Sequence, residues 1–273
     1  MRGDRRGVLE TRLRERRDSG RKLLVPYVTG GLGDDWVATL EAAAAAGADA
    51  IEVGLPFSDP MIDGPVIQEA SMAALAAGAT PEGIVRRLET ADVGDTPLVV
   101  MTYYNLVARA GLRRMARLLS SCGVSGVILP DLPVDEADPW KAEADEAGVA
   151  TVLLAAPTSP ERRLRLIAAQ ASGFLYAVGV MGVTGERSAL ARSASLIAER
   201  CKAVTDLPVL VGVGISTPEQ AVEVCGVADG VVVGTAVVRR MLEGQGPDGV
   251  AKLVTSFRES LDGFAPEGVK TAD

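Results

Sequence analysis

The sequence contains no histidine. That absence excludes a Ser-His-Asp or Cys-His nucleophile and any histidine-ligated metal, and it leaves proton transfer near neutral pH to carboxylates, lysines or tyrosines. Cysteine is scarce as well. Cys122, Cys201 and Cys225 stand far apart with no CxxC spacing, so a disulfide framework or zinc site has no basis and the three read as buried small hydrophobes. No apolar run reaches the roughly 18 residues of a membrane span without a charge interrupting it. The first 22 residues, MRGDRRGVLETRLRERRDSGRK, are charged where an export signal is apolar, so a cytoplasmic protein without membrane contact is expected.

A surplus of positive charge is missing too. The net charge is −8, yet residues 1–22 carry nine Lys/Arg against four Asp/Glu, leaving 19 against 32 for the remainder. That body is a poor surface for nucleic acid, and an anion bound to it should rest on backbone N–H groups at helix starts. The basic segment could be an RNA-binding arm. The roughly helical spacing of Val8, Leu9 and Leu13 favours an amphipathic helix over one end of the domain.

What is present is a repeat of short Val/Ile/Leu runs, each followed by a longer Ala- and Leu-rich stretch with helical charge spacing. The runs are Leu23–Thr29, Asp49–Gly54, Pro97–Tyr103, Gly126–Pro130, Ala150–Ala155, Gly173–Val178, Pro208–Val213 and Asp229–Val233. Their hydrophobicity is continuous, as parallel strands covered on both faces require. Stretches such as Trp36–Ala46, Leu112–Ser121, Asp135–Ala147 and Glu161–Ala171 supply the crossover helices. Eight βα units in this length predict an α/β fold, a (β/α)8 TIM barrel, over a single domain of residues 1–273 with a basic N-terminal helical segment at 1–22. A doubly wound sheet competes, but TGGLGDD after the first strand does not match the dinucleotide loop GxGxxG.

The interval between the second and third strands is about twice the usual one. It holds LPFSDPMIDGPVIQEA, an enlarged loop on the face where barrels build their sites. Glu52 lies inside the apolar second strand, so it must be paired, protonated or functional. Few cations lie on the strands, which favours function, with burial raising its pKa towards neutrality. Asp63, eleven residues on, is either a turn former or a second carboxylate folded back over the mouth towards Glu52. Asp59 in the same loop reads as a turn. Near the C-terminus, GVGIST and GVVVGTAVV place Gly214, Gly234 and Thr235 at strand-to-helix junctions, where free N–H groups hold phosphate. Gly182, Thr184 and Gly185 in GVMGVTGERS read as a mobile lid. Tyr103, Asn105 and Tyr176 fall at strand ends and are either core or pocket wall.

Taken in order, IEVGLPFSDPMIDGPVIQEA, MTYYNLVARAG, GVILPDLP, GFLYAVGVMGVTG, VGVGIS and ADGVVVGTAVV resemble the alpha subunit of tryptophan synthase over nearly the whole chain. The resemblance implies a TIM barrel that cleaves indole-3-glycerol phosphate to indole and glyceraldehyde 3-phosphate, with Glu52 and Asp63 as catalytic carboxylates. It also implies phosphate contacts from Gly185, Gly214, Gly234 and Thr235, Tyr176 beside the glycerol hydroxyls, Thr184 in the closing lid, and Tyr103 and Asp131 lining the site or supporting the partner-facing loop. The implied partner is a pyridoxal-phosphate beta subunit in an alpha2-beta2 heterotetramer, contacted through the loop around Asp59. No lysine motif suggests that this chain binds pyridoxal phosphate itself, so no cofactor and no metal are expected in it. Gly31-Leu32-Gly33, Gly179, Val213 and Thr235 depart from the usual family residues, and none of them removes a carboxylate. Two other readings are a different phosphate-binding barrel, which would not account for PFSDP-x-x-DGP, and a regulatory subunit that binds the ligand without cleaving it.

Overall fold

The computed structural model describes residues 7–179, 187–212 and 214–264. Among them the strands β1 (Leu23–Thr29), β2 (Ile51–Gly54), β3 (Leu98–Met101), β4 (Val124–Ile128), β5 (Ala150–Ala155), β6 (Leu175–Ala177), β7 (Val209–Val211) and β8 (Gly230–Val233) form a closed barrel in chain order. Every neighbouring pair is parallel, and β8 closes onto β1. The continuous hydrophobicity of the strands reflects two cores. Leu23, Val25, Val99, Val152 and Leu210 fill the barrel interior, while Leu24, Val28, Ile51 and Val100 face the helices outside.

Most strand ends fall within two residues of the sequence expectation, and two of the differences have a local cause. β4 begins at Val124, two residues before the expected start, because the left-handed turn is made by Gly123 at φ 78° and Ser125 already lies in the strand. The helix expected from Asp135 starts as a short 3-10 turn, Val134–Glu136, and becomes α-helical only at Asp138. Pro139 explains the break: it is accepted in a first turn but not within a helix.

The basic N-terminal segment contributes the helix Val8–Asp18, which covers the barrel floor. Leu9 and Leu13 are fully buried. The Leu9 side chain occupies space left by missing side chains, since a Cβ at Gly126 or Gly173 would lie 2.6 or 2.7 Å from its Cδ2. Arginines around this helix go to carboxylates rather than to solvent. Arg16, Arg21 and Arg258 converge on fully buried Asp49 at 3.0, 2.8 and 3.0 Å. The Leu24 N–H donates to the same carboxylate at 2.8 Å. Both oxygens of this buried carboxylate are thus paired, as a buried charged group requires. Leu9→Ala is expected to cost about 2–5 kcal/mol in denaturant unfolding; a loss below about 1 kcal/mol would mean that the floor closes without this residue.

At the opposite end, the long β2–β3 interval consists of the loop 55–64 and the helices Pro65–Ala76 and Pro81–Leu88. Proline occupies the first helical position of both, where its missing N–H is harmless. Thr80 caps the second by accepting from the Gly83 N–H at 3.1 Å. Cys122, Cys201 and Cys225 are buried free thiols.

Candidate active site

Parallel strands alternate their side chains, so the residues in phase with Leu23 and Val25 on β1, and with Ala50 on β2, point into the barrel. Continuing that phase to the C-terminal mouth brings Tyr27 and Glu52 inward, and the two stand opposite each other in the β1–β2 ladder. Glycine then replaces a side chain at 54 and 212 in the mouth layer. A Cβ on Gly54 would fall within the Tyr27 phenol, and one on Gly212 within the Tyr176 phenol. The two tyrosines lie across the neighbouring strand only because those positions are bare.

Glu52 is 1% exposed, and its buried Oε2 has no hydrogen-bond partner among the described residues. Burial first and the nearby Asp63 second push its carboxyl up to about 8. The structural ion pair considered from sequence is not present among the described residues, leaving a neutral carboxylic acid near pH 7. That state has a consequence for folding. The unfolded group titrates near 4.5, so between 4.5 and 8 the native protein holds a proton that the unfolded chain has released. The stability linked to that proton is complete below about pH 4.5 and is lost as pH rises through 8, by up to about 5 kcal/mol. Glu52→Gln should flatten this slope in denaturant titrations between about pH 5 and pH 9; equal slopes in the two proteins would contradict the burial argument.

Asp63 reaches the same pocket from the loop 55–64. The Tyr103 hydroxyl donates to its Oδ2 at 3.1 Å and accepts from the Ile62 N–H at 3.4 Å. Phe57 stacks on the Tyr103 ring at 4.7 Å, and the Gln68 side chain donates to the Asp63 carbonyl at 2.8 Å. Tyr103 thus ties the loop down at two points. Burial raises the Asp63 carboxyl, and the Tyr103 hydrogen bond opposes that rise. Tyr103 itself is pushed up to about 12 by burial and by Asp63, so it stays a donor. Its neighbour Tyr104 gives its backbone N–H to both oxygens of Asp131, at 2.8 and 3.1 Å, which anchors the start of helix Tyr104–Ala110.

Tyr176 on β6 donates to the Gly212 carbonyl at 3.3 Å. Across the mouth, helix Thr235–Leu242 begins straight after β8 with no side-chain cap. Val237 and Val238 donate to the Gly234 carbonyl, while the N–H groups of Thr235 and Ala236 are first-turn donors without an intrahelical acceptor. The junction after β7 is different. Gly214 is exposed at φ 82°, but helix Pro218–Cys225 is closed by its own capping box: Gln220 Oε1 accepts from Ser216 and Thr217 at 2.8 and 3.1 Å, and Thr217 Oγ1 accepts from Gln220 at 3.4 Å. At the first of the two expected junctions the capping box uses the N–H groups of Ser216, Thr217 and Gln220 for the helix itself. Gly182, Thr184, Gly185 and Val213 lie outside the described residues.

The structure gathers Glu52, Asp63, Tyr103 and Tyr176 around one mouth. Gly234 adjoins it too, since a Cβ there would lie 3.7 Å from the Tyr27 Cβ. Sequence reading missed Tyr27. Its only signal was the period-two phase that aligns it with Leu23 and Val25 and sets it opposite Glu52.

A closed (β/α)8 barrel with two carboxylates in an apolar mouth and open helix amides on its rim has the layout of a barrel enzyme working by acid–base chemistry on a phosphorylated molecule. The comparisons with known proteins make the class specific. The family model for the tryptophan synthase alpha chain matches residues 13–263. The tryptophan synthase alpha chain of Streptomyces coelicolor is 42% identical over 270 residues, covering 94% of this chain and 98% of the relative, and that of Geobacter sulfurreducens is 45% identical over 257 residues, covering 90% and 96%. A solved Mycobacterium tuberculosis tryptophan synthase matches with a TM-score of 0.86 at 37% identity over 94% of this chain and 98% of that one. The chain belongs to the tryptophan synthase alpha chain family. It is a lyase of tryptophan biosynthesis.

Proposed function

We propose that this mouth cleaves indole-3-glycerol phosphate by a retro-aldol reaction in which Glu52 moves the protons and Asp63 holds the ring. Breaking the bond between indole C3 and the glycerol carbon requires a proton on C3, which makes the ring a leaving group. It also requires loss of the proton from the adjoining side-chain hydroxyl. The electron pair of the breaking bond then returns to the indole as the hydroxyl carbon becomes the aldehyde of glyceraldehyde 3-phosphate. Glu52 is suited to both transfers, because a carboxyl titrating near 8 gives and takes a proton at working pH with little penalty.

Asp63 accepts a hydrogen bond from the indole N–H and stabilises the positive charge that develops on the ring, an effect strengthened by the apolar surroundings. The phosphate sits at the amides of Thr235 and Ala236, with Gly234, Gly214 and Gly185 leaving room for it. Tyr176 lies beside the glycerol hydroxyls, Tyr103 fixes Asp63, and Thr184 belongs to the lid. No cofactor held by this chain is needed for these steps. The chain acts as one domain over residues 1–273 and works in the cytoplasm, with a beta subunit carrying pyridoxal phosphate in an alpha2-beta2 heterotetramer. The loop around Asp59 is its partner-facing surface, which the exposure of Met61 and Ile62 on that loop supports.

The observation that carries the reading is that buried Glu52 lies near an Asp63 fixed by Tyr103 at the barrel mouth. Indole release from indole-3-glycerol phosphate by the purified chain, alone and with the beta subunit, tests it. Weak release alone and a large gain with the partner are expected. Binding without cleavage under both conditions would instead leave a ligand-sensing subunit.

A further inference from the structure

The barrel mouth contains a polar group that the mechanism above does not use. Tyr27 is 8% exposed, and its hydroxyl donates to no acceptor among the described residues. Thr29 lies close enough for its hydroxyl to donate to the Tyr27 oxygen, although its Oγ1 makes no hydrogen bond of full geometry, and such a contact would leave the Tyr27 proton free to be donated. The Tyr27 hydroxyl occupies the space that a side chain at position 54 would take. Positions 52 and 54 share the inward face of β2 and lie about 6.6 Å apart along the strand, a gap of which the glutamate side chain covers roughly half. Turning the Glu52 carboxyl towards the mouth therefore brings it to the Tyr27 hydroxyl.

The groups that face Glu52 narrow the candidates. Asp63, from the loop, is a carboxylate and repels it. Tyr103, at the end of β3, donates to Asp63. Tyr176, on β6, donates to the Gly212 carbonyl. Tyr27, on β1, is the phenol left uncommitted. Burial and both carboxylates hold it far above the ordinary phenol range, so it remains protonated whenever Glu52 ionises.

We propose that Tyr27 is a positioning residue whose hydroxyl donates a hydrogen bond to the Glu52 carboxylate when that group has lost its proton. No hydrogen bond joins the two side chains among the described residues, where Glu52 Oε2 has no partner. With Glu52 ionised, a buried charge that has no cation beside it acquires its donor, and the carboxylate is held at the mouth where the substrate hydroxyl arrives. A hydrogen bond to the charged form favours that form, so Tyr27 limits how far burial raises Glu52. The inference deepens the reading of Glu52 as the acid–base group and rests on it for its catalytic consequence.

Tyr27→Phe keeps the ring and its packing and removes only the donor. The readout is infrared titration of the protonated carboxyl stretch, assigned to Glu52 by its loss in Glu52→Gln and followed in the full chain without substrate. The midpoint is expected to rise by about one pH unit in Tyr27→Phe, as loss of one charge-assisted hydrogen bond implies. In the indole assay kcat should fall about tenfold with KM within about twofold, and the pH profile should shift in the same direction. A midpoint that does not move overturns the proposal, whatever the activity. Full turnover by Glu52→Gln overturns instead the assignment of Glu52 as catalyst, and the infrared titration of wild type against Tyr27→Phe still decides whether the two side chains are coupled. An aliphatic substitution such as Tyr27→Leu would confound packing with donor loss. Thermal unfolding of Tyr27→Phe is the control for packing and should match wild type.

Discussion

Glu52→Gln is expected to lower the rate of indole formation by at least about a hundredfold while the barrel remains folded. The substitution is nearly isosteric and replaces a group that already lies uncharged and buried near pH 7, so the interior loses no ion pair. What disappears is the proton. An amide neither protonates indole C3 nor takes the proton of the glycerol hydroxyl, and no histidine exists to stand in. Substrate affinity should change little, because the ring and phosphate contacts lie elsewhere in the mouth. Steady-state kinetics by indole release, with circular dichroism for the fold, checks both halves. Turnover within about threefold of wild type would remove Glu52 from the mechanism.

Asp63→Asn is expected to cost about 10²–10³ in kcat, the range seen when one electrostatic stabiliser of a developing charge is removed. Asparagine keeps the shape and still accepts from the Tyr103 hydroxyl, so the loop should stay in place. The full negative charge opposite the ring is lost, and with it the stabilisation of the protonated indole. Because the ring's positive charge arises only when C3 is protonated and is absent from the bound ground state, the effect should fall on kcat rather than KM. A rise in KM at unchanged kcat would make Asp63 a ground-state binding group. The same substitution removes the like charge next to Glu52 and should lower the Glu52 midpoint, opposite in direction to the change expected from Tyr27→Phe.

Most of the architecture could be read along the chain because each strand is covered on both faces and writes its burial as an unbroken apolar run. β1 and β5 occupy the very residues expected, Leu23–Thr29 and Ala150–Ala155. Boundaries slipped where a local turn decides: Gly123, not Gly126, makes the bend before β4, and nothing in CGVSGVILP distinguishes the two glycines except their conformation. Gly126 serves instead to admit Leu9 from the distant N-terminal helix. The basic segment was ambiguous for the same reason, since Asp49, which gathers Arg16, Arg21 and Arg258, is a tertiary partner with no local signature.

At the mouth, Glu52 was legible because a carboxylate in an apolar strand demands an explanation. Asp63 was legible only in part, as DGP is also ordinary turn chemistry. What places it is the Tyr103 hydroxyl, 40 residues later. Tyr27 offered no such contrast. A tyrosine among Pro26 and Val28 looks like core, and its position over Gly54 appears only when β1 and β2 are paired. The hydroxyl at Thr217 also has a local role, as the cap of helix Pro218–Cys225, because hydroxyls at helix starts cap helices as readily as they meet ligands.

The most direct test of the account is a crystal structure of the Glu52→Gln variant with indole-3-glycerol phosphate bound. The expected complex has the indole N–H within about 3 Å of an Asp63 carboxylate oxygen and the phosphate on the amides of Thr235 and Ala236, with the reacting carbon facing residue 52. An indole ring turned away from Asp63, or a phosphate seated away from the start of helix Thr235–Leu242, would contradict it.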